Sequence, residues 1–289
     1  MHFVKAKSIL SPTGGMNIYR GCAHGCIYCD SRSRCYHMEH PFEDIEVKEN
    51  AIKLLDDALR RRRKKCMIGT GSMSDPYIPA EMRLCYMRRA MELILKHGFG
   101  FTLITKSCRV ERDIDLLRQI NQSTKCVVQM TLTTYDDALC KKIEPNVSTT
   151  AERAETLMRL RDAGIPTIVW LTPILPFIND TAENIEGILS LCKSAGVRGV
   201  IHFGMGVTMR EGNREYFYAK LDELFPGLKQ KYMRTYGYNY ELPSPNTATL
   251  EAALYKRCAE YGIECDNEKL FAYLHSFEQK QTCEQISMF

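Results

Sequence analysis

The sequence lacks any long hydrophobic run. No stretch of about 18 or more consecutive apolar residues occurs in the 289 residues, so we expect no membrane-spanning helix. The first residues, Met-His-Phe-Val-Lys-Ala-Lys, have neither the apolar segment nor the small-residue cleavage site of a signal peptide. These two absences predict a cytoplasmic protein.

The net charge is also small, and internal repeats and low-complexity segments are missing. Lys and Arg number 39 against 35 Asp and Glu, which gives a formal net charge of +4. A charge this small neither demands nor excludes a nucleic-acid partner. Hydrophobic residues make up 45% of the chain, which is enough to bury the core of one large α/β domain.

Cysteine, in contrast, is abundant, with thirteen residues. A secreted protein would pair them as disulfides, but nothing at the N-terminus directs export. Four of them lie singly in apolar stretches, which is typical of small core residues: Cys66, Cys85, Cys126 and Cys192. The three near the C-terminus are too widely spaced to predict a metal cluster: Cys258, Cys265 and Cys283.

Short apolar runs alternate with amphipathic stretches along most of the chain. Six runs are predicted strands, at residues 16–19, 66–70, 101–105, 126–132, 167–171 and 199–203. Stretches with apolar residues at helical spacing lie among them, at residues 50–63, 81–96, 112–121, 151–163, 182–195 and 215–224. Strands separated by helices of this length pair in parallel, as βαβ units.

This order predicts an α/β protein built as a partial (β/α)6 barrel of the TIM type, with its functional site at the carboxyl ends of the strands. After residue 240 the pattern changes to a turn-forming segment at 243–247 and helical segments at 250–261 and 269–279. We therefore expect a barrel core at residues 1–240. A helical extension with a flexible C-terminal tail is expected at residues 241–289.

One tight group of cysteines follows the first predicted strand. Cys22, Cys26 and Cys29 have the spacing Cys-x3-Cys-x2-Cys, with a glycine directly before the first and the second cysteine. Three thiolates can bind three irons of a [4Fe-4S] cluster and leave the fourth iron open to a small molecule, whereas ordinary clusters use four cysteines. A zinc site with Cys35 as fourth ligand is the alternative, although zinc sites usually contain two Cys-x2-Cys pairs.

This motif, with Tyr28 directly before the third cysteine, resembles that of the radical S-adenosylmethionine superfamily. The resemblance implies that the open iron binds the amino and carboxylate groups of S-adenosyl-L-methionine. It further implies that an electron from an external donor cleaves the sulfonium bond. The resulting 5′-deoxyadenosyl radical then takes a hydrogen atom from the substrate. In this family the aromatic residue, here Tyr28, lies against the adenine.

Further motifs at the strand ends resemble those of the spore photoproduct lyase-like group of DNA repair enzymes, over about residues 13–205. They are Gly-Thr-Gly-Ser-Met-Ser-Asp-Pro-Tyr at 69–77, Thr-Lys-Ser at 105–107, Gln-Met-Thr-Leu-Thr-Thr at 129–134, Glu-Pro at 144–145, Pro-Ile-Leu-Pro at 173–176 and Asn-Asp at 179–180. The resemblance favours a nucleic-acid substrate and a DNA repair or modification reaction.

Polar residues at these strand ends are candidates to bind the cofactor, whose carboxylate, ammonium and ribose hydroxyls need fixed partners in a mostly apolar barrel. A lysine suits the carboxylate, threonines suit the hydroxyls or the carboxylate, and serines suit the ammonium. Local turn bonding is the alternative role of each hydroxyl, and a solvated loop position is that of the lysine. The candidate set is Tyr28, Ser72, Ser74, Lys106, Thr131, Thr133 and Arg153.

One position departs from this group. Ser72 stands where we expect spore photoproduct lyase to have the cysteine that returns a hydrogen atom to the product radical. A serine hydroxyl is a poor hydrogen-atom donor, so the lyase reaction on thymine dimers is not carried over. Cys35, Cys108 and Cys140 are the alternative donors, and each can instead be a structural cysteine.

Two other segments bear on partners. Six consecutive basic residues at 60–65 end a predicted helix, where cations meet the helix dipole favourably. A contact with nucleic-acid phosphates is the alternative. The last five residues resemble the peptide that binds the bacterial sliding clamp, although they could instead pack on the barrel: Gln285, Ile286, Ser287, Met288 and Phe289.

The sequence therefore predicts a radical S-adenosylmethionine enzyme that acts on nucleic acid. A peptide or a small metabolite is the alternative substrate. A zinc-stabilised module that binds DNA or the sliding clamp is the non-enzymatic alternative.

Overall fold

The structure, a computed structural model, describes residues 1–280. Residues 281–289, with Cys283 and the clamp-like peptide at 285–289, lie outside the described residues. The first strands form a small mixed sheet of β1 (His2–Val4), β2 (Tyr19–Arg20) and β3 (Glu46–Lys48). β3 lies in the middle, parallel to β1 and antiparallel to β2. Because β2 leads directly into the cysteine motif, this sheet fixes the start of that loop.

The main sheet has five parallel strands in sequential order. They are β4 (Met67–Thr70), β5 (Gly100–Thr105), β6 (Cys126–Thr131), β7 (Thr167–Trp170) and β8 (Gly199–Ile201). One face carries the fully buried side chains of Ile68, Leu103 and Val128, which pack against the surrounding helices. The opposite face lines the inside of the barrel. The parallel α/β arrangement is therefore as predicted.

The helices within residues 1–280 surround this sheet. They are α1 (Ala51–Arg61), α2 (Glu81–Leu84), α3 (Tyr86–Lys96), α4 (Ile114–Ser123), α5 (Asp137–Ile143), α6 (Thr150–Asp162), α7 (Ala182–Ala195), α8 (Asn213–Leu224), α9 (Leu228–Tyr236), α10 (Thr247–Tyr261) and α11 (Asn267–His275). Strands β9 (Gly206–Thr208) and β10 (Glu241–Pro243) form a separate antiparallel pair. None of these helices has the length and hydrophobicity of a membrane span.

The first predicted strand, at 16–19, is only partly formed. Met16 N donates to the Gly69 carbonyl at 2.7 Å, and Gly69 N donates to the Gly14 carbonyl at 3.0 Å. The chain then turns away, and Tyr19 joins the small sheet instead. The barrel therefore has five full strands, and a single parallel bridge occupies the sixth position.

Local signals explain where several helices begin and end. α6 begins at a capping box, in which Thr149 Oγ1 accepts from Glu152 N and the Glu152 carboxylate accepts from Thr149 N. The single helix predicted at 81–96 is two helices, because Cys85 adopts a left-handed backbone conformation with φ of 52°. α10 packs against α7.

Helix α11 covers part of the inner face of the main sheet. Leu270 and Leu274 of α11 pack against Val127, Ile168 and Ile201, whose side chains point inward. The segment before it bonds to the outer edge of β8, where Val200 N donates to the Glu264 carbonyl at 2.8 Å. The boundary expected at residue 240 stays a prediction.

Lys125, which is buried just before β6, holds the end of α11. Its Nζ donates to the carbonyls of Tyr273 at 2.8 Å and Ser276 at 3.1 Å, and it pairs with Glu278 at 2.8 Å. Carbonyls at a helix C-terminus have no partner within the helix, so this cation satisfies groups that α11 leaves open.

We expect Lys125→Met to lower the free energy of unfolding by about 1–3 kcal/mol, because part-buried helix-terminal carbonyls lose a charged donor. Urea unfolding followed by circular dichroism measures the change. Glu278→Gln is the matched control, since its carboxylate is half exposed and an exposed ion pair contributes about 1 kcal/mol or less. An equal loss in both variants would show that the carbonyl bonds do not anchor the helix.

Candidate active site

A cavity of about 890 Å³ lies at the carboxyl end of the main sheet and continues along its inner face. The segment after β4 contributes residues 71–75, the end of β5 contributes residues 105–106, and the cysteine motif forms the facing wall. Inward side chains of the strands, such as Gln129, line its deeper part. The volume lies at the upper end of the range of about 300–1,000 Å³ that small-molecule sites occupy. The cavity is thus large enough for a cofactor and part of a substrate.

The cysteine loop requires glycine at its first turn. Gly21 has φ of 84°, and a Cβ at this position would lie 2.5 Å from the Phe42 carbonyl oxygen. Ser74 Oγ donates to the Gly21 carbonyl at 2.5 Å, which fastens the loop to the end of β4. The conformation of the loop is therefore fixed by the backbone and by a neighbouring strand end.

All three cysteines of the motif line the cavity as free thiols. Burial raises the pKa of the Cys22 thiol to about 12 and that of Cys26 well above its usual value. Both are therefore thiols at neutral pH until a cation binds, because metal binding releases the thiol protons. The donor set fits a group that takes three thiolates.

The geometry does not favour a single zinc ion. Zinc–sulfur bonds of about 2.3 Å would bring all ligating sulfurs within about 4.6 Å of one another, but among residues 1–280 the three Sγ atoms do not all lie within 4.8 Å. Cys35, the alternative fourth ligand, is exposed and does not line the cavity. Its Sγ accepts from Arg210 Nη1 at 3.5 Å. A larger group held at three corners fits the cysteines better.

A buried ion pair lies behind Tyr28. The Tyr28 hydroxyl donates to Glu144, whose other oxygen accepts from Arg153 Nη2 at 2.5 Å. Arg153 also donates to the Thr131 carbonyl at 2.6 Å and to Cys140 Sγ at 2.9 Å. Burial acts to raise the pKa of Glu144, but the Arg153 charge and others hold it below its usual value. Glu144 is thus an anion that orients the tyrosine.

Lys106 provides the cation of the cavity wall. Its Nζ lies 5.8 Å from the centre of the Tyr28 ring. Burial acts to lower the pKa of Lys106, but the nearby Glu144 carboxylate helps to raise it above its usual value. The side chain is therefore charged at neutral pH and suited to meet a carboxylate.

The structure brings together most of the predicted cofactor contacts. Thr133 lies behind the wall, with its hydroxyl 3.4 Å from Glu144, and Arg153 is equally removed from the cavity. Ser72 is exposed at the rim. Five of the seven candidates line the cavity: Tyr28, Ser72, Ser74, Lys106 and Thr131.

The predicted hydrogen donors lie elsewhere. Cys108 is half-buried beside Ser148, and Cys140 is buried against Arg153. Neither of them lines the cavity, and nor does Cys35. Within the described part of the chain, the cysteines of the cavity wall are those of the motif.

His24 and Asp75 belong to the site, although the sequence analysis did not select them. His24 is 2% exposed, and its Nδ1 lies 3.5 Å from Asp75 Oδ2. Asp75 also accepts from Thr105 Oγ1 and from the backbone of Lys106, each at 2.8 Å. His24 Nε2 is buried without a partner among residues 1–280. An unsatisfied buried polar atom beside the cavity is consistent with a bound polar group. The position of His24 between Cys22 and Cys26 was the signal in the sequence that could have identified it as a site residue.

The basic run at 60–65 lies at the opposite end of β4 from the cavity rim, because it precedes that strand. Part of it has local partners. Arg60 pairs with Asp56 at 2.5 Å, and Arg62 donates to the Pro12 carbonyl at 2.6 Å. The run is therefore not part of the cavity.

We expect Arg153→Met to lower the free energy of unfolding by about 3–5 kcal/mol at pH 7, because Glu144 would be left as an uncompensated buried charge. Arg159→Met is the control on the same helix, since its guanidinium is exposed and its ion pairs contribute about 1 kcal/mol or less. Urea unfolding of both variants measures the difference.

The same pair predicts a pH dependence. The folded pKa of Glu144 lies below its unfolded value of about 4.3, so its stabilisation is present above that pH and is lost as the pH falls through the folded pKa. In Arg153→Met burial raises this pKa instead. The stability gap between the two proteins should thus narrow as the pH falls from about 7 to about 4. If the difference in unfolding free energy did not change with pH, Glu144 would not be the anion that Arg153 stabilises.

Comparisons with known proteins agree with this arrangement. The radical SAM superfamily matches residues 16–192, which is more than half of the chain. Uncharacterized protein Rv2578c of Mycobacterium tuberculosis is 28% identical over 260 residues, covering 87% of this chain and 75% of that protein. Uncharacterized protein MJ0683 of Methanocaldococcus jannaschii is 31% identical over 185 residues, covering 61% of this chain and 68% of that protein.

Solved structures show the same fold at low identity. A variant of spore photoproduct lyase matches with a TM-score of 0.65 and 13% identity, over 90% of this chain and 78% of that one. Spore photoproduct lyase complexed with a dinucleoside spore photoproduct matches with a TM-score of 0.62 and 14% identity, over 90% and 76%. The chain belongs to the radical SAM superfamily, whose enzymes use a [4Fe-4S] cluster, S-adenosyl-L-methionine and an electron donor.

Proposed function

We propose that this protein is an enzyme that cleaves S-adenosyl-L-methionine reductively and uses the 5′-deoxyadenosyl radical on a nucleic-acid substrate. Cys22, Cys26 and Cys29 would hold the cluster, which when bound supplies the electron for cleavage. The observation that carries the proposal is one cavity lined by three free thiols, a charged lysine and an oriented tyrosine.

The remaining wall residues bind and orient the cofactor in this proposal. Lys106 meets the methionine carboxylate, and the Tyr28 ring lies against the adenine, with its hydroxyl held by Glu144. Ser74 keeps acceptor capacity for the ammonium after its bond to Gly21. Thr131 faces the cavity with a hydroxyl suited to the ribose or the carboxylate.

A nucleic-acid substrate is supported by two observations. The fold matches spore photoproduct lyase with a bound dinucleoside photoproduct over 90% of this chain. The deeper part of the cavity also has aromatic walls, formed by Trp170 and Phe271. The basic run contributes nothing to this proposal because it lies away from the cavity. A peptide or a small metabolite is the alternative substrate, and the test of substrate class described below distinguishes it from nucleic acid.

The reaction differs from cleavage of thymine dimers in how the product radical is quenched. Ser72 occupies the rim where the lyase group is expected to have a cysteine, and no cysteine outside the motif lines the cavity within residues 1–280. We therefore propose that no cysteine of the described cavity wall outside the motif returns a hydrogen atom to the substrate radical.

We expect the anaerobically purified protein to contain iron and sulfide and to form 5′-deoxyadenosine with dithionite and S-adenosyl-L-methionine. Cys22→Ser, Cys26→Ser and Cys29→Ser should each lose most of the iron and at least about 100-fold of the product. That loss is of the size found when a group essential to the chemistry is removed. Cys85→Ser, which lies outside the cavity, should retain both. Zinc without iron, and no product after cluster reconstitution, would refute the proposal.

Lys106→Met should weaken binding of S-adenosyl-L-methionine by about 10- to 100-fold, the usual effect of losing a hydrogen bond between charged groups worth about 1.5–3 kcal/mol. Equilibrium dialysis with the labelled cofactor and cluster-loaded protein measures it. Lys141→Met, at an exposed position of α5, is the control and should bind normally. Unchanged affinity in Lys106→Met would remove this residue from the cofactor site.

Substrate class is tested by product formation. Short DNA and RNA strands, peptides and small metabolites are added separately to the cluster-loaded protein, and 5′-deoxyadenosine is measured with and without each. If nucleic acid alone increases the formation of 5′-deoxyadenosine, the proposal is supported. If only peptides or metabolites increase it, nucleic acid is not the substrate.

A further inference from the structure

The cavity contains an aromatic surface that the cofactor site does not use. Trp170 from the end of β7, Phe203 from just after β8 and Phe271 from α11 contact one another. Their ring centroids lie 5.7 to 6.1 Å apart, and all three residues line the cavity. We refer to these three residues as the aromatic wall.

Phe203 is the unusual member. Its side chain is 59% exposed, whereas Trp170 and Phe271 pack against the buried cluster of Ile168, Ile201 and their neighbours. An exposed phenylalanine ring loses the stabilisation that burial would give it. Here the exposed ring lies inside a cavity rather than on a convex surface, which indicates that a ligand covers it.

Polar contacts fix the wall in place. Trp170 Nε1 donates to Gln129 Oε1 at 2.7 Å, and Gln129 Nε2 donates to Thr102 Oγ1 at 2.8 Å. The tryptophan is thus oriented by two inward side chains of neighbouring strands. A fixed aromatic surface loses little conformational entropy when a flat ring stacks on it.

The charges of the cavity decide which part of a substrate enters. Lys106 is the one charged lysine or arginine side chain among the described lining residues, and Asp30, Asp75 and Glu241 also line the cavity. Phosphates gain little in such surroundings, because their binding relies on several basic groups. An uncharged flat ring gains most, since every base presents a π face to an aromatic side chain.

We propose that the aromatic wall is a stacking site for one nucleobase of the substrate, with the phosphates left outside the cavity. This inference rests on the proposed function for its choice of ring. Trp170 and Phe203 would contact the base directly, and Phe271 would support both of them. Because the wall and the cofactor residues line one continuous cavity, a base stacked there is open to the radical.

The test uses full-length, cluster-loaded protein under anaerobic conditions with S-adenosyl-L-methionine present and no reductant. Two five-nucleotide single strands with a terminal fluorescein are compared by anisotropy. One has normal bases, and the other has an abasic residue at its centre. The base-containing strand should bind at least about fivefold more tightly, within the range that stacking of one base provides.

Variants assign the effect to the wall. Phe203→Leu should remove the difference between the two strands, and Phe203→Tyr should restore it because the ring is kept. Tyr238→Leu is the matched control, since this aromatic residue is 91% exposed and lies outside the cavity. Trp170 is the only tryptophan of the chain, so quenching of its emission by the base-containing strand and not by the abasic strand reports stacking independently.

Equal affinity for the two strands, or an equal loss in Phe203→Leu and Tyr238→Leu, would overturn the inference. Quenching by N-acetyl-tyrosinamide but not by nucleosides would overturn the choice of a nucleobase. Anisotropy and quenching measure binding and need no turnover. They therefore test the aromatic wall independently of the proposed radical reaction. A protein that cleaves the cofactor but does not distinguish the strands refutes only the aromatic wall, whereas one that distinguishes them without cleavage refutes the radical reaction.

Discussion

The buried ion pair of Glu144 and Arg153 joins parts of the chain that are far apart in sequence. Through Tyr28 it reaches the cysteine motif, and through the Thr131 carbonyl it reaches the end of β6. Backbone bonds reinforce the connection, since Ile27 N donates to the Ile143 carbonyl at 3.0 Å. A charge pair buried this completely is stable only while both partners are present. The position of the motif over the barrel therefore depends on it.

Asp75 fixes the facing side of the cavity in a similar way. It accepts from Thr105 Oγ1 and from the backbone of Lys106, so the segment after β4 is tied to the end of β5. The same carboxylate lies 3.5 Å from His24 in the cysteine motif. Two carboxylates, Glu144 and Asp75, thus contact the cysteine motif through Tyr28 and His24, and the three thiols line the cavity.

The sequence predicted the strands and helices that have a regular spacing of apolar residues within the element itself. β6 is buried along its whole length and α7 has a regular apolar face, so both were placed within a residue of their bounds. The break at Cys85 was not predicted, because a single left-handed residue leaves no periodic signal. α5 and α9 were missed because they are short, with 7 and 9 residues, and polar in composition.

For the candidate site too, the features with a local sequence pattern were predicted and those that depend on the folded chain were not. Spacing alone selected the three cysteines, and position after a strand selected Lys106. Whether a polar residue at a strand end faces the cavity or lies behind it depends on the twist and pairing of the strand, so Thr131 and Thr133 could not be separated. The aromatic wall could not be predicted either, because its members come from residues 170, 203 and 271 and meet only in the folded chain.

A five-stranded sheet leaves a barrel open at its side, and what covers the opening then determines what can enter. Here the outer edge of β8 bonds to the segment at Glu264, and α11 follows directly to cover the inner face. Lys125, just before β6, donates to carbonyls at the end of α11 and so holds that helix in place. α11 is therefore both the cover of the opening and the element that positions Phe271 beside Trp170. A chain truncated before this helix would retain the cysteine motif and lose the α11 residues Phe271, Leu274 and His275 from the cavity wall.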